Sequence, residues 1–303
     1  MTLHPDEVPV TVAIARGLIA GQAPEWSDLP LRPAGEGTDN VMLRLGDHLV
    51  VRLPRTPGTA RDVDKERTWL PRLAPHLPLT VPEPVFAGEP DDGYPFAWAI
   101  YRWIEGAEPT DTTIADWGAV GRDLAAFVEA LHATDLQGAR REGALSWYRG
   151  EPLAERVAEG LAAIEEVRRL DAEVSLGLDL PAVERLLMEL SATPQPDTAL
   201  GWLHGDLRAA NLLARGGRLA AVIDFGALSV GLPAAEHAAA WGLPPVARDA
   251  YRDRLGLDND AWALGRGWSL LPNLTALPYY WQTWPEFARS CRDHIAMLLT
   301  AET

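Results

Sequence analysis

Cysteine is almost absent from this 303-residue chain: Cys291 stands alone, which excludes an internal disulfide or a thiolate metal site built from its own residues. Lysine is as scarce. Of the 27 basic residues, 26 are arginine and one is Lys65, so chemistry that needs a lysine must use that one. No apolar run approaches the roughly 18 residues of a membrane-spanning helix, and no span is expected. The opening Met1-Thr2-Leu3-His4-Pro5-Asp6-Glu7 lacks the basic and apolar regions of a secretory signal, so a cytoplasmic protein is expected. Positive charge is in deficit, with 43 acidic residues and a net charge of −16, which disfavours nucleic acid and anionic lipid as partners. Neither paired cysteines nor H-E-x-x-H suggests zinc, and no internal repeat or low-complexity tract interrupts the chain.

What is present suffices for a sizeable core: 47% of residues are hydrophobic and 23% charged, typical of a folded chain of one or two domains. Leu31–Ala34, Val41–Leu45 and Leu49–Leu53 read as short strands, the last two joined by a turn at Gly46-Asp47. Val63, Glu66, Leu70 and Leu73 recur at helical spacing. Val85–Ala87 and Phe96–Trp103 read as two more strands. After Glu105-Gly106 the pattern turns helical, with helices expected over Ile114–His132, Leu153–Leu170 and Pro181–Leu190, around a β island at 200–224. The expectation is an α+β chain, with a small antiparallel-sheet N-lobe over residues 1–104 and a larger, mostly helical C-lobe over residues 105–303. Ten basic and fourteen acidic residues lie in the first part (net −4), against 17 and 29 in the second (net −12).

The richest stretch is His204-Gly205-Asp206-Leu207-Arg208-Ala209-Ala210-Asn211-Leu212-Leu213, followed by Val222-Ile223-Asp224-Phe225-Gly226. Gly216-Gly217 between them is a hairpin-turn signal flanked by apolar runs. Closing that hairpin sets Asn211 and Asp224 side by side, with Asp206 in the loop that enters it. An amide oxygen and a carboxylate suit Mg²⁺, which keeps water and phosphate oxygens as its other ligands. A second carboxylate at the same end could take the proton of an attacking hydroxyl. Each of these residues alone reads equally as a turn former or cap; the ordered set reads as a site for phosphoryl transfer.

The pattern H-G-D-x-x-x-x-N-L…I-D-F-G resembles the catalytic loop and metal-binding segment of the aminoglycoside phosphotransferase family, relatives of the protein kinases. Gly37-Thr38-Asp39-Asn40 with Leu45–Arg55 is similar to that family's first hairpin and third strand. Tyr101-Arg102-Trp103-Ile104-Glu105-Gly106 is similar to its hinge, and Leu277-Pro278-Tyr279-Tyr280 to a segment of bacterial relatives. The resemblance implies a bilobal protein-kinase-like fold, Asp206 as catalytic base and Asn211 and Asp224 as Mg²⁺ ligands. It also implies ATP or GTP as donor, bound against Thr38, Asp39, Asn40, Tyr101 and Trp103.

Arg52 interrupts an apolar strand, and Glu66 lies on the apolar stripe of the next helix. Two buried-facing charges of opposite sign should pair, because an unpaired one is costly to bury. The pair reads as a phosphate clamp in which Arg52 replaces the usual lysine, or as a purely structural bridge. Lys65, beside Glu66, should point away from the stripe. Relatives carry G-D-P-A-x-D-L after the metal segment; here Gly231-Leu232-Pro233-Ala234-Ala235-Glu236-His237 lacks those acids, which puts the support of that loop in question. Only ten residues separate Gly226 from His237, too few for a regulatory activation segment. The expected activity is therefore phosphorylation of a small hydroxylated, cationic molecule such as an aminoglycoside or another antibiotic. The alternatives are a metabolic kinase acting on choline, homoserine or a sugar, and a catalytically silent binding protein.

Overall fold

The computed structural model describes residues 6–37 and 39–301. A five-stranded antiparallel sheet opens the chain: β1 (Leu31–Glu36), β2 (Asn40–Leu45), β3 (Leu49–Pro54), β4 (Pro84–Gly88) and β5 (Trp98–Arg102), in spatial order β1-β2-β3-β5-β4. Two helices cover it. Helix α1 (Val12–Gln22), capped by the Thr11 hydroxyl, packs Ala15, Leu18 and Ile19 with Leu49, Val51 and Leu53. On the other face Val50 and Tyr101 pack with Val63 of α2 (Asp62–Leu73). Alternate residues of a strand face opposite sides, so Arg52 shares the face of Val50 and is delivered toward α2. Strand β3 is buried along its whole length because both faces are covered.

Beyond residue 105 the chain is mostly helical, as expected. Helices α3 (Trp117–Ala133), α4 (Val157–Val174), α5 (Leu180–Ser191), α6 (Ala238–Trp241), α7 (Pro245–Leu255), α8 (Asn259–Tyr280) and α9 (Pro285–Thr300) enclose one large core. Helix α8 is the axis of that core, with Trp268, Leu270, Leu271, Leu274 and Leu277 all within 1% exposure. Two expected helix starts move. Ile114 pairs with Gly217 as an isolated bridge, so α3 begins at Trp117. Residues Leu153–Arg156 form a 3-10 turn ahead of α4.

The β island resolves into β6 (Gly201–Leu203), β7 (Leu212–Arg215), β8 (Arg218–Val222) and β9 (Ser229–Gly231). Strands β7 and β8 form the expected hairpin, and β6 pairs with β9. The segments ending at Asp206 and beginning at Asp224 are thereby held together, and the turn after Asp224 rests on the N-terminal part of α2.

Candidate functional site

Arg52 lies at the junction of three elements. Its Nη1 donates to Glu66 Oε1 at 2.6 Å and its Nη2 to Asp224 Oδ1 at 3.1 Å. Arg52 is 7% exposed and Glu66 0%. Burial opposes the Arg52 charge, and Glu66, then Asp224, outweigh it, so its pKa lies well above the ordinary arginine value. Tyr101, opposite Val50 in the sheet, donates its hydroxyl to Glu66 Oε2 at 2.5 Å. The Tyr101 hydroxyl thus braces the ion pair from beneath. Burial and the Glu66 charge push the Tyr101 pKa well above its usual value.

Lys65 points away from the Glu66 stripe, as expected, but into a second contact and not into solvent. It is 7% exposed, donates Nζ to the carbonyl of Gly226 and pairs with Asp62 Oδ1 at 3.1 Å. The physical reason is that α2 has two neighbours. Glu66 faces the sheet, while Lys65 faces the 3-10 turn Phe225–Ala227 that follows Asp224. Burial pushes the Asp62 carboxyl up to about 6 despite Lys65.

The hairpin brings the other candidates together. Ile223 N–H donates to Asn211 O at 2.9 Å, which continues the ladder one pair beyond Leu212–Val222 and sets Asp224 next to it. Asp224 is in the left-handed region at φ +63°, and its side chain is half exposed. Asn211 Nδ2 donates to Asp206 O at 2.8 Å and to Asp206 Oδ2 at 3.1 Å. Its amide nitrogen is therefore spent on Asp206, which leaves Oδ1 as the atom available to a cation. An amide oxygen and a half-exposed carboxylate are a fitting partial donor set for Mg²⁺ with phosphate and water oxygens completing it.

Asp206 has further partners. Arg149 Nη1 donates to its Oδ1 at 2.9 Å, and Arg208 Nε lies 3.6 Å from Oδ2. Burial alone would raise the Asp206 pKa; Arg149, then Arg208, reverse this and hold the carboxyl below its ordinary value. The loop beneath is tied down through His204, which is 0% exposed. Asp206 N–H donates to His204 Nδ1 at 3.2 Å and His204 Nε2–H to Ile223 O at 3.0 Å. That pattern requires the neutral imidazole, which burial also favours.

Gly205 adopts φ +80°, and a Cβ there would sit 2.4 Å from Ala227 O, so no other residue fits. Glu236 completes the loop: its carboxylate accepts from His204 N at 2.5 Å and from Gly205 N at 3.3 Å. The acid at this position thus supports the loop that carries Asp206, not the segment of Asp224 whose support the sequence put in question. A glutamate, buried and pushed by that burial up to about 7, braces the loop.

The remaining candidates lie apart from this cluster. Thr38 is outside the described residues. Asp39 O accepts from Arg55 N at 2.8 Å, and Asn40, 6% exposed, opens β2 opposite Pro54; both belong to the tip of the first hairpin. Trp103 N–H donates to His48 O at 2.8 Å, and Arg44 lies 4.0 Å above its ring. Lys65, Asp62, Arg149 and Glu236 were not singled out from the sequence as contributors. Their available signals were weak: a sole lysine, and an arginine among aromatics in Trp147-Tyr148-Arg149-Gly150.

A family model described as the phosphotransferase enzyme family matches residues 30–268. The chain belongs to that family. Solved structures of the same fold include the GDP complex of wild-type aminoglycoside 2'-phosphotransferase-IIIa, at 18% identity over 96% of this chain and 99% of that one, TM-score 0.76. The macrolide 2'-phosphotransferase of Brachybacterium faecium matches at 23% identity over 95% and 98%, TM-score 0.59. A macrolide 2'-phosphotransferase type I matches at 21% over 97% and 100%, TM-score 0.63. No curated protein matched the chain. The phosphotransferase assignment thus rests on the family match, and the structural neighbours confirm the kinase-like fold with its five-stranded sheet and helical remainder. Among the described residues no helix is long and apolar enough to cross a membrane.

Proposed function

We propose that this chain moves the γ-phosphoryl group of ATP or GTP to a hydroxyl of a small natural product or antibiotic, in the cytoplasm. The observation that carries this is the meeting of two hydrogen-bonded pairs, Asp206–Asn211 and Asp224–Arg52, at one end of one hairpin. The three structural neighbours, one aminoglycoside and two macrolide phosphotransferases, support the acceptor class. The split of nucleotide and acceptor binding between residues 1–104 and 105–303 belongs to the same proposal.

Asp206 accepts the proton of the acceptor hydroxyl, the role of a positioned carboxylate in phosphoryl transfer. Arg52 engages the donor phosphates while Glu66 and Tyr101 hold its guanidinium in place. Asn211 Oδ1 and the Asp224 carboxylate would hold Mg²⁺, which neutralises phosphate charge when bound. Lys65 steadies the turn after Asp224 through Gly226. The hairpin tip, with Thr38, Asp39 and Asn40, covers the nucleotide, and Trp103 flanks its base.

The −12 net charge of residues 105–303 favours a cationic acceptor at the rim. It does not extend to the reacting hydroxyl, where Arg149 and Arg208 offset Asp206. The test is a panel of aminoglycosides, macrolides, amino alcohols and sugars with each nucleotide and Mg²⁺, read as a mass gain of one phosphate. Transfer to an antibiotic hydroxyl supports the proposal; nucleotide binding with no transfer to any of them would show a silent binding protein.

A further inference from the structure

Between α3 and α4 the chain passes through short 3-10 turns, and one of them, Tyr148–Gly150, delivers Arg149 to Asp206. Two neighbouring arginines of the same connector, Arg141 and Arg156, go instead to Glu151. Arg149 is set apart by depth, its side chain 19% exposed, and by its aim at Asp206; its Nε also donates to Tyr148 Oη at 3.1 Å.

The turn is seated by backbone contact. A Cβ on Gly150 would lie 2.8 Å from Gly231 Cα, and a Cβ on Gly231 would lie 2.3 Å from Gly150 Cα; such an approach excludes side chains at both positions. Leu232 N–H adds a hydrogen bond to Gly150 O at 3.2 Å. Gly231 ends β9, whose partner β6 runs directly into His204-Gly205-Asp206. The turn, the two strands and Asp206 therefore form a closed mechanical circuit.

We propose that the 148–150 turn is a positioning device for the base, in which Arg149 fixes the rotation of the Asp206 carboxylate. This rests on the phosphotransferase reading above. The terminal torsion of an aspartate is soft, and a hydrogen bond at one oxygen alone leaves the other free to swing. Asn211 holds Oδ2 and Arg149 holds Oδ1, and each oxygen keeps a second lone pair for the acceptor hydroxyl. Without Arg149, Oδ1 loses its partner while the Arg208 guanidinium, 3.6 Å from Oδ2, still pulls on the carboxylate from one side. A misplacement of about 1 Å at a reacting group costs on the order of 10²-fold in rate.

The experiment compares Arg149→Met and Arg149→Lys with the parent protein in turnover and in crystal structures. Arg149→Met should lower kcat roughly 30- to 100-fold with nucleotide KM within about twofold. Arg149→Lys, which keeps charge but loses the fork, should recover part of that loss. Gly150→Ala, which leaves the guanidinium but lifts the turn from Gly231, should reproduce it if Arg149→Met does not fold. In the variant structures Asp206 Oδ1, freed of Arg149, should swing away from its parent position. A parent-like kcat in these variants, a loss expressed equally in nucleotide KM, or a carboxylate that stays in place would overturn the proposal. A parent protein that transfers phosphate to no acceptor would instead count against the phosphotransferase reading, and the carboxylate position would still decide the role of Arg149.

Discussion

At the end of the site proposed to hold the nucleotide, Arg52 and Glu66 meet inside a sheet–helix interface with 7% and 0% exposure. At the end proposed to receive the acceptor, the side chain of Asp206 is 32% exposed and is held by Arg149 and Asn211 from a connector and a 3-10 turn. The first pair consists of charges that cannot exist apart, because either alone would be buried without compensation. The second is a carboxylate whose partners restrain it while leaving lone pairs open. Rigidity at the phosphate end comes from burial; orientation at the base comes from hydrogen bonds supplied by segments distant in sequence.

The comparison breaks most visibly on the acceptor side. Asp206→Asn should lower kcat roughly 10²- to 10⁴-fold, the usual contribution of a positioned acid–base group, with the folded structure intact; steady-state turnover beside a melting curve measures both. On the nucleotide side the effect should be on stability as well. Arg52→Ala should cost about 3–5 kcal/mol in denaturant unfolding, because Glu66 is left uncompensated. Removing both charges with Arg52→Met and Glu66→Leu should recover only part of this, since the Tyr101 hydroxyl then loses its acceptor. Adding Tyr101→Phe should complete the recovery without restoring turnover. Restored turnover in the triple variant would show that the buried pair is structural only.

A smaller effect is expected at the seam between the ends. Lys65→Met removes the donor to Gly226 O and the partner of Asp62, and should cost about 1–3 kcal/mol and raise the Mg²⁺ concentration needed for half-maximal turnover. An unchanged Mg²⁺ requirement would separate Lys65 from the Asp224 loop. The smallest effect concerns pH. The folded carboxyl of Glu236 titrates at about 7, above its unfolded value, so the folded state binds the extra proton. Its contribution is fully present below about pH 4.5 and is lost as pH rises through 7. Glu236→Gln should flatten that decline, visible as a Tm that rises relative to the parent as pH goes from 5 to 7.5. The buried His132 and His237, lowered by burial to about 4 and about 3, act with opposite sign: their contribution is present above pH 6.5 and is lost on acidification.

The two ends also differ in how far the sequence discloses them. Arg52 stands out because period-two alternation in an apolar strand makes a charge conspicuous, and Glu66 because it falls on a 3.6-residue stripe. Asn211 and Asp224 follow from a Gly-Gly hairpin whose register is local. Arg149 lies 57 residues before Asp206 in a connector of 3-10 turns, where no periodicity reports which way a side chain points. Lys65 is hidden for another reason. Its partner, the turn after Asp224, packs on α2 from 161 residues away, so a stripe counted for one neighbour places Lys65 off that stripe without disclosing its second contact. Glu236 is one methylene longer than the aspartate of the expected pattern and bonds the backbone of His204 and Gly205, a contact that pattern matching alone does not disclose. Tyr101 was expected against the nucleotide, and its register opposite Val50 turns its hydroxyl onto Glu66.

The central claim is that the nucleotide and acceptor ends are separable, and calorimetric titration of nucleotide with Mg²⁺ into two variants tests it most directly. Asp206→Asn should bind nucleotide as the parent protein does, whereas Asp224→Ala should lose the Mg²⁺-dependent part of binding. Equal loss of nucleotide affinity in both variants, or parent-like Mg²⁺-dependent binding by Asp224→Ala, would contradict the account.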